Sequence, residues 1–338
     1  MQKKILEILM CPKCKTDTLD LDTNYLADDS NIEEGLINCT NCNSSYPIIK
    51  GVPVFVEIED RGEVFERTSN HYGSGWVEGD ESASYSVDEK WHFDELIKLF
   101  GFPKNRKGFA IEAGSGNGKD TVRLSVNNPE SEIITIDISD GIFVANKRFN
   151  ILNLKNIHPI RASLDQIPIK DEVLDYGYSF GVLHHMPVPL DGMKEVSRTL
   201  KKGSSFLTYL YSDLSEKPFL YFFLKPITFL RKITHKFNIR ILRIFCYLMM
   251  PPVFIFLVIP SRFFKSIGLS SFAKKIPHHH NKSFNSLFGE LFDRFGAQIE
   301  FRYNPTTLNK LYSDANLKMT DYENLEIWRG WVSKATKN

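Results

Sequence analysis

Two pairs of cysteines carry the first chemical signal: Cys11-Pro-Lys-Cys14 and Cys39-Thr-Asn-Cys42 are C-x-x-C knuckles with 24 residues between them. Two residues between thiols let a tight turn aim both at one ion, and two such turns complete the tetrahedron that Zn²⁺ takes from sulfur. A redox reading is weaker, because a dithiol enzyme uses one pair set in a βαβ context. With four protein ligands no coordination position stays open, so the zinc implied by Cys11, Cys14, Cys39 and Cys42 is structural. The segment between the knuckles reads as a short hairpin whose core is too small to fold alone, which makes the metal a main source of its folding free energy.

The second signal is IEAGSGNGKDT, Ile111 to Thr121. A phosphate-binding P-loop needs G-x-x-x-x-G-K-[ST]; counting from Gly114 places Lys119 where the second glycine belongs, so that loop is excluded. The dinucleotide fingerprint G-x-G-x-x-G fails as well, because Gly118 arrives one residue early after Gly114 and Gly116. What remains is E-x-G-x-G-x-G. A carboxylate ahead of the glycines, Glu112, repels a pyrophosphate and suits a ligand bearing an ammonium or sulfonium.

These residues need elements to hold them. From Lys107 short apolar strands alternate with helical segments: GFAIEA, EIITIDIS, VLDYGYSF and SSFLTYLY read as strands, with DTVRLSVNN, GIFVANKRFNIL and GMKEVSRTL as helices, the last closed by Lys201-Lys202-Gly203. That alternation predicts an α/β domain with a mostly parallel sheet, in which ligands bind outside the carboxyl ends of the strands, where the glycine loop falls. WHFDELIKLFGF predicts a helix stopped at Gly101. At the end of the chain a helix through Leu308, Leu311 and Tyr312 leads into strands over Leu317 to Leu325 and Trp328 to Ala335.

The bulk numbers agree with this scale of fold. A chain of 338 residues with 42% apolar residues suggests about two domains and can bury a full core. Its formal charge of +1 gives no global reason to bind a nucleic-acid backbone. The start lacks the long apolar core and cleavage site of a secretory signal, which predicts a cytoplasmic protein. Residues 59–90, rich in Glu, Asp, Ser and Gly without a sustained period, read as a linker; in it Tyr72 and Trp76 either close over a ligand or dock as packing.

On the motifs quoted, residues from about Tyr72 onward resemble the class I S-adenosylmethionine-dependent methyltransferases, with the closest overall look to the small-molecule branch that includes the quinone C-methyltransferases. Residues 1–58, with C-P-x-C, C-x-x-C, Y-P-I and G-V-P-V, resemble the zinc ribbon of the tRNA-methyltransferase activator subunit. The resemblance implies a Rossmann-like seven-stranded fold over 91–338, with a helical insertion at about 214–290. It implies that Gly114, Gly116 and Gly118 admit the methionine portion of the cofactor beside Glu112. It also implies that Asp137, with Ile138 beside it, binds the ribose hydroxyls, and that Ser163 and Leu164 meet the adenine. Ser163 stands where many members carry Asp, and Asp165 is the nearby alternative. GVLHH would face the space between sulfonium and substrate, making His184 or His185 a pocket wall or a proton acceptor.

The insertion is unlike the rest. Ile244 to Pro260 contains no charged residue, and basic residues stand on either side, among them Lys236, Arg240 and Arg243 before it and Arg262 and Lys265 after. The run is shorter than the twenty or so residues of a membrane span and is broken by Pro251-Pro252. Residues 218–265 therefore read as a pair of helices in a membrane interface, as an apolar lid over a lipid-like substrate, or as an added helical subdomain. His278 to His280 point in different directions on any regular element and do not read as a metal site. The expected activity is in-line methyl transfer to a small, hydrophobic or lipid-linked acceptor. The rivals are an RNA methyltransferase, which the acidic ribbon (Asp17, Asp20, Asp22, Asp28, Asp29, Glu33 and Glu34) argues against, and a non-catalytic scaffold.

Overall fold

A 3-10 turn over Lys3–Ile8 and the first cysteine knuckle lead into an antiparallel sheet of β1 (Leu19–Leu26), β2 (Ile32–Cys39), β3 (Ser45–Ile49) and β4 (Val52–Pro53), in that order. The β1–β2 pair, with Leu19 opposite Cys39, is the hairpin expected between the knuckles. The computed structural model describes residues 1–26, 31–56, 62–80, 85–88, 92–101, 103–273, 276, 284, 286–325 and 330–338. These divide into two compact units, Met1–Tyr211 with Phe301–Asn338, and Ser212–Glu300.

Within the first unit the ribbon has no core to itself. Ile5, Leu9, Ile32, Ile37 and Phe55 are buried in one cluster with Ile134, Ile136, Ile160 and Ile169 of the following domain. Each such side chain contributes about 1.5–3 kcal/mol relative to exposure. Backbone bonds seal the joint: Met10 N donates to Pro168 O at 3.1 Å, Lys170 N to Ile8 O at 2.9 Å and Phe55 N to Arg161 O at 2.8 Å.

Residues 63–80, read from sequence as linker, are instead an 18-residue helix, α1 (Glu63–Asp80). Gly73 and Gly75 blur its period. Gly73 is also where the helix comes close to its neighbour: a Cβ there would stand 3.3 Å from the Ser139 side chain. There follow α2 (His92–Phe100), β5 (Lys107–Ala113), α3 (Lys119–Asn127), β6 (Glu130–Asp137), α4 (Gly141–Ile151), β7 (Ile157–Arg161), β8 (Leu174–Phe180), α5 (Pro189–Thr199) and β9 (Leu200–Tyr211). The strand β9 begins earlier than the sequence suggests and takes in Lys201-Lys202-Gly203. Gly203, at φ 77°, lies where the pairing jumps from Leu174–Leu200 to Tyr176–Ser205, a bulge that glycine accommodates.

The chain then enters the second unit, with α6 (Pro218–Thr234), α7 (Ile239–Val253), α8 (Ile259–Ser266), α9 (Ser270–Ala273) and α10 (Ser286–Gly296). The expected break at Pro251-Pro252 does not occur. The helix α7 continues through both prolines, passes one π turn at Phe254–Val258 and runs on as α8. Ile239–Ser266 is thus one helix of 28 residues, long and apolar enough by length and composition to cross a membrane. The charge-free run is shorter than the helix, which extends past it at both ends. Leu242, Cys246 and Met250 bury one stripe of α7 against Leu287, Leu291 and Phe295 of α10, and Arg231 is paired with Glu300 at 2.5 Å. His278 to His280 lie outside the described residues.

The chain returns with α11 (Pro305–Asp314), β10 (Leu317–Leu325) and β11 (Gly330–Lys337). The start expected for the last strand at Trp328 lies outside the described residues. The seven strands order as β10-β11-β9-β8-β5-β6-β7, with β9 through β7 parallel to one another and β11 antiparallel to β9 and β10. This is the Rossmann-like mixed sheet that the resemblance implies.

Candidate active site and cysteine centre

In the sheet order β8 and β6 flank β5 on opposite sides, so the chain reverses direction there and a crevice opens at the carboxyl ends of these strands. The glycine loop leaves β5, Asp137 ends β6, and Gly181 to His185 follow β8. The expected residues therefore meet at one edge of the sheet.

The loop depends on its glycines. Gly114, Gly116 and Gly118 have φ of 87°, 52° and 79°, in the left-handed region that costs other residues roughly 1–2 kcal/mol. There is no room for side chains either: a Cβ on Gly116 would lie 2.8 Å from the Trp76 indole, and one on Gly118 2.6 Å from the Phe149 ring. The Gly114 position is filled by Val182 from the loop after β8. The backbone N–H of Gly116 donates to Asp137 Oδ2 at 2.8 Å, while Ser139 donates to Oδ1 through its N–H at 2.8 Å and its hydroxyl at 2.7 Å. A carboxylate oxygen accepts two bonds, so Oδ2 keeps one position for a further donor and Oδ1 gains one when Ser139 turns away.

Beneath the loop lies a buried acidic pair. Asp120 of α3 accepts from Phe93 N at 2.9 Å and from Tyr178 Oη at 3.1 Å, and it meets His92 at 3.3 Å. Glu112 is enclosed, and its Oε2 has no hydrogen-bond partner among the described residues. Burial pushes the Glu112 carboxyl well above the usual range, and the charges of Asp120 and Asp137 push the same way. Tyr178 is driven up by burial, then by the charges of Asp120 and Glu112. Among the described residues Glu112 Oε2 alone of these oxygens is buried without a donor. A ligand with a positive charge and N–H groups fits that need, which makes the residues present suitable for S-adenosylmethionine.

After β7, Ala162 N donates to Asp137 O at 3.2 Å, which brings Ser163 and Leu164 beside the β6 end. The Ser163 hydroxyl donates to Asp165 at 2.5 Å, leaving Ser163 Oγ as an acceptor; the two alternatives for the adenine contact are thus hydrogen-bonded to each other. Ile138 O accepts from Arg161 Nε at 3.1 Å. His184 and His185 sit on a short 3-10 turn, both buried. Neither ring nitrogen of His184 has a hydrogen-bond partner among the described residues; burial, then His185 and Arg302, hold its pKa well below the usual value, so the ring is neutral. His185 packs tilted against Tyr72 of α1 with ring centres 5.2 Å apart, and Trp76 of the same helix lies against both Gly116 and Gly141. Sequence reasoning raised Tyr72 and Trp76 as possible closers but missed Asp120, whose only mark is its place in the first turn of the helix after the loop.

The four cysteine sulfurs lie within 4.8 Å of one another, with Cys11–Cys42 at 3.6 Å and Cys14–Cys39 at 3.5 Å. A tetrahedral zinc–thiolate site sets neighbouring sulfurs roughly 3.8 Å apart, so the cysteines are positioned to bind a metal. Around them Tyr46 Oη stands 3.1 Å from Cys11 and Thr16 Oγ1 3.1 Å from Cys14, the second layer of contacts that orients metal ligands.

Comparison with known proteins matches residues 111–208 to the family described as Methyltransferase domain and residues 2–51 to Trm112p-like protein. An uncharacterized chloroplastic methyltransferase of Arabidopsis thaliana is 21% identical over 60% of this chain and 61% of its own length. A malonyl-[acyl-carrier protein] O-methyltransferase of a Marinomonas species is 30% identical over 45% of this chain and 50% of its own. The chain thus spans less than two thirds of the length of these relatives. Among solved structures, an S-adenosylmethionine-dependent methyltransferase from Aquifex aeolicus is similar with a TM-score of 0.46 and 13% identity, covering 79% of this chain and 98% of that one.

Proposed function

The chain carries a methyltransferase domain behind a Trm112p-like region, and on that premise we propose that it transfers the methyl group of S-adenosylmethionine to a small, hydrophobic or lipid-linked acceptor. The observation that carries this reading is the loop of three left-handed glycines above Glu112, an enclosed carboxyl with one oxygen unpartnered among the described residues. The cofactor supplies an electrophilic methyl on a sulfonium. Glu112 offers its oxygen to the positively charged end, Gly114 to Gly118 let backbone approach it, Asp137 takes the ribose hydroxyls, and Ser163 with Leu164 borders the adenine. Ile138 continues the ribose edge.

Catalysis on this reading is positioning: the acceptor atom is held in line with the methyl carbon, worth several orders of magnitude in rate. Of the two histidines, His185 is the one we assign to hold a proton released by the acceptor, since a charge on enclosed His184 is opposed by burial and by Arg302. The cysteine centre stays outside the chemistry. Residues 1–58 serve as the ribbon module and 91–338 as the catalytic domain. The apolar insertion favours a hydrophobic acceptor and a place at the cytoplasmic face of a membrane.

Calorimetric titration with S-adenosylmethionine and S-adenosylhomocysteine, beside Asp137→Ala, tests the reading. Binding by the wild type that the variant loses is the expected result. No binding by the folded, zinc-loaded protein overturns it.

A further inference from the structure

The formal charge of +1 hides a segregation. Residues 217–289 hold twelve Lys and Arg and no Asp or Glu, whereas the remaining residues hold thirty Lys and Arg against forty-one Asp and Glu, a net of −11. The same stretch is where apolar surface is exposed: seventeen of the twenty-six exposed large apolar side chains among the described residues fall within Ser212–Glu300. From Ile241 to Ile259 every exposed residue of the long helix is aliphatic, aromatic or proline, with Leu248 at 70% and Phe256 at 73% exposure. Exposed Arg240 stands just before this face, and exposed Arg262 and Lys265 follow it. On α6, exposed Lys225 and Lys232 alternate with exposed Phe222, Phe229 and Ile233, and exposed Lys236 follows just beyond its end.

The two properties together select the occupant. A second copy of this unit would bring like charges together. An anionic bilayer offers phosphates to the lysines and arginines and an acyl region to the aromatic rings, the pairing that interfacial helices use. A span is disfavoured because the other face of the helix is already buried against α10, whose Glu290, Asp293 and Arg294 remain partly accessible.

We propose that Ser212–Glu300 is an anchor for the surface of an anionic lipid bilayer, with α6 and the helix Ile239–Ser266 lying in the headgroup region and their apolar side chains turned to the acyl chains. The anchor rests on the insertion alone and holds whatever the catalytic unit methylates, because lipid binding and cofactor binding are read separately.

The test floats the full-length, zinc-loaded protein with vesicles of phosphatidylcholine and with vesicles of phosphatidylcholine mixed with phosphatidylglycerol. Strong flotation with the mixed vesicles, weakened by salt, is expected, with little on phosphatidylcholine alone. Each basic side chain near such a surface strengthens binding about fivefold, so the triple variant Lys232→Gln, Lys236→Gln, Arg240→Gln should bind on the order of a hundredfold more weakly. Circular dichroism and S-adenosylhomocysteine titration check that this variant is folded. A second variant, Phe222→Ser with Leu248→Ser, should lose the binding that survives salt. Equal flotation with neutral vesicles, no flotation with either, indifference to the triple substitution, or a lipid-free dimer that the apolar substitutions dissolve would each overturn the anchor.

Discussion

Gly116 is the residue on which the glycine loop turns, for two independent reasons. Its backbone is left-handed, and its Cα faces the Trp76 indole at a distance that leaves no space for a methyl group. Gly116→Ala must therefore displace either the loop or Trp76, and the Gly116 N–H that holds Asp137 moves with it. S-adenosylhomocysteine affinity is expected to fall at least tenfold, a loss of about 1.4 kcal/mol, with the melting temperature little changed. Titration beside a thermal melt separates the two effects. His184 gives a different kind of prediction. An enclosed imidazole with both nitrogens unbonded among the described residues costs stability unless a ligand uses them, so His184→Phe should hold or raise the melting temperature. If those nitrogens serve the acceptor, the same variant loses methyl transfer while cofactor binding stays intact; unchanged turnover would leave the ring a packing residue.

At the scale of elements, what was legible in the sequence was what is local. The knuckles, the glycine loop and the strand-end Asp137 each declare themselves within a few residues, and the sheet brings the last two together because the strands carry them to one edge. Helix α1 did not show, since Gly73 sits where the helix meets its neighbour and Gly75 breaks the period again, and a contact between elements leaves no period in one of them. Nor did the continuity of the helix Ile239–Ser266, because proline rules speak of lost hydrogen bonds while packing against α10 holds the helix together. The shared core of the ribbon and the domain after it was equally hidden, and it has a thermodynamic consequence. Removing zinc with a chelator should lower the melting temperature of the whole first unit in one transition, because Ile5, Leu9 and Phe55 cannot leave without exposing Ile136 and Ile160. A ribbon that melts separately in calorimetry contradicts this.

The same joint carries a pH signature. Glu132 of β6 takes a hydrogen bond from His158 at 2.6 Å and an ion pair from Lys4 of the ribbon at 2.6 Å. These hold its carboxyl down at about 2, the His158 bond being the larger cause, against an unfolded value near 4.3. A depressed carboxylate contributes stability above the unfolded pKa and loses it as pH falls toward the folded one. Because Glu132 is nearly a third exposed, solvent screening limits the contribution to about 1 kcal/mol. Glu132→Gln should then melt roughly 2–4 °C lower at neutral pH, with the gap closing between about pH 4 and pH 2.

For the whole molecule the instructive feature is how the chain leaves and re-enters its first unit. Tyr303 N donates to Tyr211 O at 2.8 Å and Phe301 N to His184 O at 2.8 Å, so the two ends of the excursion are held side by side by the unit they depart from. Strand β11 then pairs with β9 from Gly330 opposite Tyr211 to Thr336 opposite Ser205, bonds made by the first unit alone. Closing a short loop between such neighbouring ends costs little entropy, and each doubling of loop length adds only about 0.6 kcal/mol. Replacing Ser212–Glu300 by a short Gly-Ser connector should therefore give a protein that melts cooperatively and still binds S-adenosylhomocysteine, with the order of affinity kept. It should lose flotation on anionic vesicles completely and, with the stretch of twelve basic residues gone, carry a markedly acidic isoelectric point. Loss of cooperative melting would mean that the excursion is part of the fold, whereas loss of cofactor binding alone would mean that it completes the site.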